Sequence, residues 1–230
     1  MNKLPNNHRN PAGRLAFTLI ELLVVIAIIA LLAAMVFPIT GAVNRAKIKA
    51  KSRAELNNVV TYIESYKVKL GHYPPDNPNP NNPFINPLYY ELVGTREVRA
   101  SGRSVFTALD DTTTTFSPTE LNTTFGVGGF VNCSRGSGDE GPVAVNFARS
   151  LKPNQVAQIS GSPLKVLVCS IPWPAANPGP VPGMNPIRYN SSAPRHNKDG
   201  YDIWIDVIIA GKTNRFSNWS KTPEVVGTPY

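Results

Sequence analysis

Residues 16–37 read AFTLIELLVVIAIIALLAAMVF. Glu21 is the only charged residue in this stretch, and the run from Leu22 to Phe37 after it is unbroken and apolar. An ionised side chain at a bilayer centre costs ~2.5–3.5 kcal/mol on insertion scales, so an acid in such a segment points to function and needs a positive partner. A free α-amino group on Phe17, made by cutting after Ala16, is the natural one. In one chain Glu21 lies about one helical turn from that amine. In an assembly it meets the amine of a neighbour.

Two plainer readings compete. A secretory signal has an apolar core of roughly 7–15 residues before a small-residue cut site. Ala30 to Ala34 offers such a site, but the apolar run is longer than that core and Glu21 has no place in it. A simple anchor fits better. Phe17 to Ile39 is 23 residues, or ~34 Å of helix, enough to cross ~30 Å of hydrocarbon. The anchor alone leaves Glu21 without a role.

With its flanks, the segment resembles the cleavage and methylation signal of type IV pilins and type II secretion pseudopilins. The leader, 1–16, is short and basic, with Lys3, Arg9 and Arg14 and no acid. Phe17 is the new N-terminus, Glu21 stands four residues on, and about twenty apolar residues follow. The family usually has Gly before the cut; this chain has Ala16, which is also small. The resemblance implies cleavage between Ala16 and Phe17 by prepilin peptidase, N-methylation of Phe17, and Glu21 as the assembly residue. It implies no enzymatic activity. It places a single-pass chain in the bacterial inner membrane, its C-terminal domain on the periplasmic or exterior side, before entry into a filament. The partners implied are further copies or other pilin-like subunits, the prepilin peptidase and secreted protein cargo.

The helical pattern continues past the membrane segment. Pro38 and Gly41 mark a bend, because a proline in a spanning helix kinks it more often than it ends it. Leu56, Val59, Val60, Ile63, Tyr66 and Leu70 then recur at steps of three and four and lay a stripe on one face. Gly71 and Pro74 stop the helix. The sequence divides into a leader (1–16), a transmembrane or filament-core helix (17–39), its amphipathic continuation (40–71) and a globular domain with Pro/Gly-rich loops (72–230). The fold class expected is α+β, a long N-terminal helix packed on one small antiparallel sheet, as in pilins.

Arg45, Lys47, Lys49, Lys51 and Arg53 follow the apolar run at every second residue, so they spread around the helix. They read as a solvated collar or as a contact for lipid headgroups or for acids on a neighbour. Five cations after the span against three before it would put the C-terminal side in the cytoplasm, and the leader signature places it outside. The net charge is +8 for the chain; without the three leader cations it is +5. This is too modest to argue for nucleic acid.

Beyond the helix, His72 to Pro87 is proline-rich extended loop. Residues 88–160 carry little pattern. The Thr-rich tract Asp110–Thr115 and the glycine-rich stretch Gly126–Gly141 read as loops. Leu164–Cys169 reads as a strand and Ile171–Pro186 as loop. Tyr201–Ile209 alternates, with Tyr201, Ile203, Ile205 and Val207 on one side and Asp202, Trp204, Asp206 and Ile208 on the other. Gly211 marks a turn before a return strand, Arg215–Trp219.

The sequence holds no Gly-x-Ser-x-Gly, His-Glu-x-x-His, P-loop or Rossmann glycine pattern. The three histidines, at 8, 72 and 196, have no metal-ligand spacing. Asp110-Asp111 and Asp139-Glu140 are neighbouring acids in loops, and Gly126-Val127-Gly128-Gly129 is an isolated glycine cluster. Cys133 and Cys169 have no C-x-x-C spacing. In an exported domain they could close one disulfide loop, stabilising by ~3–4 kcal/mol in the chain-entropy model; otherwise they are two buried thiols. The disulfide is the reading taken.

Two further segments are similar to major pseudopilins, YIESYKVKLGHYP (62–74) at the helix end and HNKDGYDIW (196–204) closing on Asn218-Trp219. The resemblance implies a calcium loop just after the strand. Calcium needs roughly six to eight oxygens, and Val207–Arg215 contains no acid. No metal ligand is therefore assigned, and calcium remains only as what the family implies.

Overall fold

The computed structural model describes residues 18–79, 81–100, 103–136, 141–173 and 181–227, with the side chains of 35–40 and 100 excepted. Ala16 and Phe17 lie outside the described residues. Internal contacts divide the chain into Met1–Asn44 and Arg45–Tyr230.

Helix α1 spans Leu19–Leu70 and continues through Pro38 and Gly41. In the first unit its apolar side chains are exposed, from Leu19 at 81% to Leu32 at 58%. Among the described residues no helix is long and apolar enough to cross a membrane. The described part of the apolar run is Leu19–Ala34; the side chains of 35–40 fall outside the description.

In the second unit the stripe does what its spacing predicts. Leu56, Val59, Ile63 and Tyr66 are buried, and Val60 and Leu70 pack on the same core. The Gly71 N–H bonds Lys67 O at 2.8 Å and closes the helix. Helix α2 (Leu88–Val93) follows and is buried throughout. Next come β1 (Thr95–Ala100), β2 (Arg103–Ala108) and β3 (Asp111–Phe116), helix α3 (Pro118–Phe125) and β4 (Cys133–Arg135). After these come β5 (Val156–Gln158), β6 (Lys165–Cys169), β7 (Asn185–Pro186), β8 (Arg188–Asn190), β9 (Asp202–Ile209), β10 (Lys212–Ser217) and β11 (Glu224–Gly227).

Among the described residues these strands form three sheets, ordered β3-β2-β1-β4, β5-β6-β7 and β11-β10-β9-β8. The class is compatible with α+β, but the single small sheet expected is corrected. One reason is the Thr tract read as loop. Thr is polar but β-branched and favours strands, and Asp111–Phe116 pairs antiparallel with β2. A second reason is proline. Pro186 has no N–H for a ladder, and β7 ends there, two residues before β8 joins a different sheet. The glycine-rich stretch also contains a strand, β4, which runs parallel to β1.

An aromatic core seals the first sheet. The Tyr90 ring lies 4.8 Å from Phe116 and 5.1 Å from Phe130, and Phe130 meets Phe106 edge-on at 5.6 Å. Gly94 joins α2 to β1 at φ +86, where a Cβ would come within 3.0 Å of Leu109 and 3.1 Å of the Val145 carbonyl. Both the backbone angle and the space demand glycine there.

Candidate functional site

Glu21 is held by Thr18. The Thr18 backbone N–H and hydroxyl each donate to Glu21 Oε2 at 2.8 Å, and the Glu21 N–H reaches back to Thr18 Oγ1 at 3.3 Å. This is a capping box, which satisfies donors that the first turn of a helix leaves open. The Thr-x-x-Glu spacing was readable in the sequence and was missed. Glu21 therefore has a local partner in addition to the amine inferred for it. Beyond it, Leu22, Leu23, Val24, Val25, Ile26, Ile28 and Ile29 are all at least 45% exposed. An apolar helix exposed on every side needs lipid or other subunits to cover it.

The cationic collar is split by the fold. Arg45, Lys47, Lys49 and Lys51 are exposed. Arg53 is not part of that group: its guanidinium donates to the carbonyls of Ser217 (2.7 Å), Ser220 (3.0 Å) and Lys221 (3.1 Å). It fixes the segment after β10 to the helix.

The C-terminal constellation is structural. The Asp202 carboxylate accepts from the N–H groups of Arg195 (2.7 Å), His196 (2.9 Å) and Asn197 (3.0 Å), and lies 3.1 Å from His196 Nδ1. Burial alone would raise its pKa, but the N–H groups of His196, Asn197 and Arg195 more than offset this and hold it below the usual range. Asp206 takes both Arg215 Nε (2.8 Å) and Nη2 (3.0 Å), with Arg188 at 3.8 Å. Asn218 extends the β9–β10 ladder: its Oδ1 accepts from the Ile203 N–H at 3.1 Å and its Nδ2 donates to Tyr201 O at 2.8 Å. The His196 ring stacks on Trp219 at 3.9 Å, and Trp219 meets Trp204 at 5.8 Å.

The loop in which the family resemblance implied calcium is a tight turn, Ala210-Gly211, with φ 52 and 75. Such a turn suits a two-residue hairpin and leaves no ligand-bearing loop. Asp202 and Asp206 are both committed to other partners. Among the described residues no group of three or more His, Cys, Asp or Glu is placed to hold a metal. A cleft of about 430 Å³ beside Trp219 is lined by Arg195, His196, Trp204 and Arg215. Most of these groups are occupied with one another, and Arg215 also covers the Trp204 ring at 5.6 Å.

Cys133 and Cys169 are free, buried thiols on different sheets, so the disulfide taken from the sequence is not made in this structure. Burial pushes the Cys169 thiol up to about 12 and the Cys133 thiol up as well. Neither ionises readily, and a thiol kept protonated is a poor nucleophile.

Sequence reasoning also missed Glu91. This carboxylate is 1% exposed and accepts from the Tyr66 hydroxyl (2.9 Å) and the N–H groups of Val131 (2.9 Å) and Asn132 (3.0 Å). It ties α1, α2 and the strand-entry loop at one buried point. A lone acid inside the apolar run LYYELV was the available signal.

Residues 12–37 match the family model described as the prokaryotic N-terminal methylation motif. The N-terminal segment is a prepilin-type signal. The motif supports reading this segment as the signal of a type IV pilin-like substrate of prepilin peptidase. The match stops short of the domain Arg45–Tyr230, and comparison with curated proteins and with solved structures finds no match.

Proposed function

We propose that the chain is a structural subunit of a type II secretion pseudopilus. It is cut between Ala16 and Phe17, methylated on Phe17, and anchored in the inner membrane by 17–39 with its C-terminal domain on the periplasmic side. It then assembles through that helix into a filament that supports protein export. The observation that carries this reading is the methylation motif over 12–37, joined to a helical stretch, Leu19–Leu32, whose large apolar residues are all exposed. Such a surface is covered by lipid before assembly and by neighbouring helices after it. Glu21 pairs with the Phe17 amine of a neighbour, a contact made only in the filament.

A type IV pilus subunit is the second reading. It is favoured by a domain of three sheets, larger than the single small sheet that the pseudopilin resemblance implies. A membrane-anchored binding module that never polymerises is the third, and it predicts no requirement for Glu21.

Intact-mass analysis of membrane-extracted protein tests the first step. The expected mass is that of residues 17–230 plus one methylene. A chain beginning at Met1, or cut after Ala34, overturns the reading. Shearing and secretion assays in parallel then separate pilus from pseudopilus.

A further inference from the structure

We propose that Arg45, Lys47, Lys49 and Lys51 form a collar that binds the phosphates of anionic lipid headgroups. This rests on the membrane-anchor reading above and adds a partner to it.

All four side chains are exposed, and none makes a hydrogen bond or ion pair among the described residues. The fifth cation, Arg53, is spent on three carbonyls. No Asp or Glu occurs from residue 22 to residue 54, and the first acid after the collar, Glu55, accepts from Ser170.

The placement of the four points to lipid. At about 100° per residue, Arg45 and Lys49 lie about 40° apart, while Lys47 and Lys51 lie on the far side, about 200–240° around from Arg45. A protein groove or a nucleic-acid duplex touches one face of a helix. A headgroup layer surrounds a helix that passes through it. The collar begins eight residues after Phe37, about 12 Å of helix. Side chains on a helix lean toward its N-terminal end, and long cationic chains reach to an interface in this way.

A second copy of the chain offers few unengaged carboxylates. Asp111, Glu97 and Asp206 are paired with cations, and Glu55, Glu64 and Asp76, though still charged, are held by Ser170, by Tyr201 and by Ser191 with Ser192. Only Asp199 and Glu224 make no hydrogen bond or ion pair among the described residues, against four collar cations per copy.

The test uses the full chain reconstituted in phosphatidylcholine vesicles with spin-labelled phosphatidylglycerol or spin-labelled phosphatidylcholine, and reads the fraction of motionally restricted lipid. The native chain should prefer phosphatidylglycerol. The preference should fall to about unity in R45Q/K47Q/K49Q/K51Q and in about 1 M salt, where the screening length is ~3 Å. Each single substitution should lower the association by up to about fivefold. The exposed trio R96Q/R99Q/R103Q should leave it unchanged, which separates the collar from net charge. A normal circular-dichroism spectrum for the fourfold variant confirms that it folds. An inserted native chain without headgroup preference, or a fourfold variant that keeps it, overturns the proposal alone. A chain that fails to float with the vesicles overturns the anchor reading and the collar together.

Discussion

Ile26 and Ile63 are the same residue on the same helix, yet Ile26 is 57% exposed and Ile63 is 0%. Around Ile26 every turn is apolar; around Ile63 apolar residues occupy one stripe. A helix apolar all round cannot be served by one small domain, because a domain covers only one face. The pattern itself separates a stretch that waits for lipid or other subunits from one whose partner is already in the chain.

The sharpest way to break this contrast is to put one charge at each place. Ile63→Asp buries an unpaired carboxylate in a packed core and should cost more than ~4 kcal/mol, enough to unfold the domain. Ile26→Asp should leave the domain's urea midpoint unchanged and abolish carbonate-resistant membrane association. The measurements are urea unfolding followed by tryptophan fluorescence, and membrane fractionation. An Ile26 variant that unfolds the domain, or an Ile63 variant that leaves it stable, would collapse the distinction.

Within the domain, Glu91 gives the next largest effect. Glu91→Gln leaves an amide facing two N–H donors, and the loss should be ~2–3 kcal/mol. Tyr66→Phe removes one donor and should cost ~1 kcal/mol. The pH dependence has a definite sign. Burial raises the Glu91 carboxyl above the ordinary carboxylate range, against the pull of the Asn132 and Val131 N–H groups and Tyr66. The folded state then holds this proton more tightly than the unfolded one. Its contribution is full below the unfolded pKa and is lost as pH rises through the folded pKa. A native domain that shows no such loss, relative to Glu91→Gln, would mean the carboxylate is stable in its charged form.

Legibility followed the same divide. The helix, its buried stripe, β6 and β9 all carried a period or a stop signal, whereas the return strand, expected at Arg215–Trp219, begins at Lys212 directly after the Gly211 turn and ends at Ser217. The first sheet carried neither. Its third strand is a run of threonines whose polarity masked their β-branching, and its fourth is three residues within a glycine-rich stretch. The number of sheets was also out of reach, because it depends on where Pro186 ends one ladder before β8 joins another. In the N-terminal segment the motif was plain, while the capping partner of Glu21 was overlooked although Thr18 stands three residues before it.

Asp202 provides a smaller effect with the opposite pH sign. Its folded pKa is depressed, so its contribution is present above the unfolded pKa and is lost as pH falls through the folded one. Asp202→Asn should cost ~1–2 kcal/mol near neutral pH, and the gap to the native chain should narrow on acidification. Urea midpoints measured across the acid range check this. A constant gap would assign the loss to shape and not to charge. If added calcium raised the midpoint of the native chain but not of the variant, the carboxylate would be a metal ligand after all.

The smallest effect separates two roles of one side chain. Glu21 closes a capping box with Thr18, and under the filament reading it also pairs with a neighbour's Phe17 amine. Thr18→Ala removes the cap and keeps the charge. It should cost ~0.5–1 kcal/mol, confined to the first turn. Glu21→Gln does the reverse, because glutamine also serves in a capping box but carries no charge for the amine. If the charge matters for assembly, Thr18→Ala secretes and assembles nearly normally while Glu21→Gln is cleaved but does not enter filaments. If the cap is the whole role of Glu21, the order inverts, and the glutamine variant is the one that assembles. Secretion, shearing and N-terminal mass are read on the same cells, so a defect in cleavage cannot pass for a defect in assembly. An inversion would leave the helix as an anchor with a well-made start, and would remove the neighbour's amine from the mechanism.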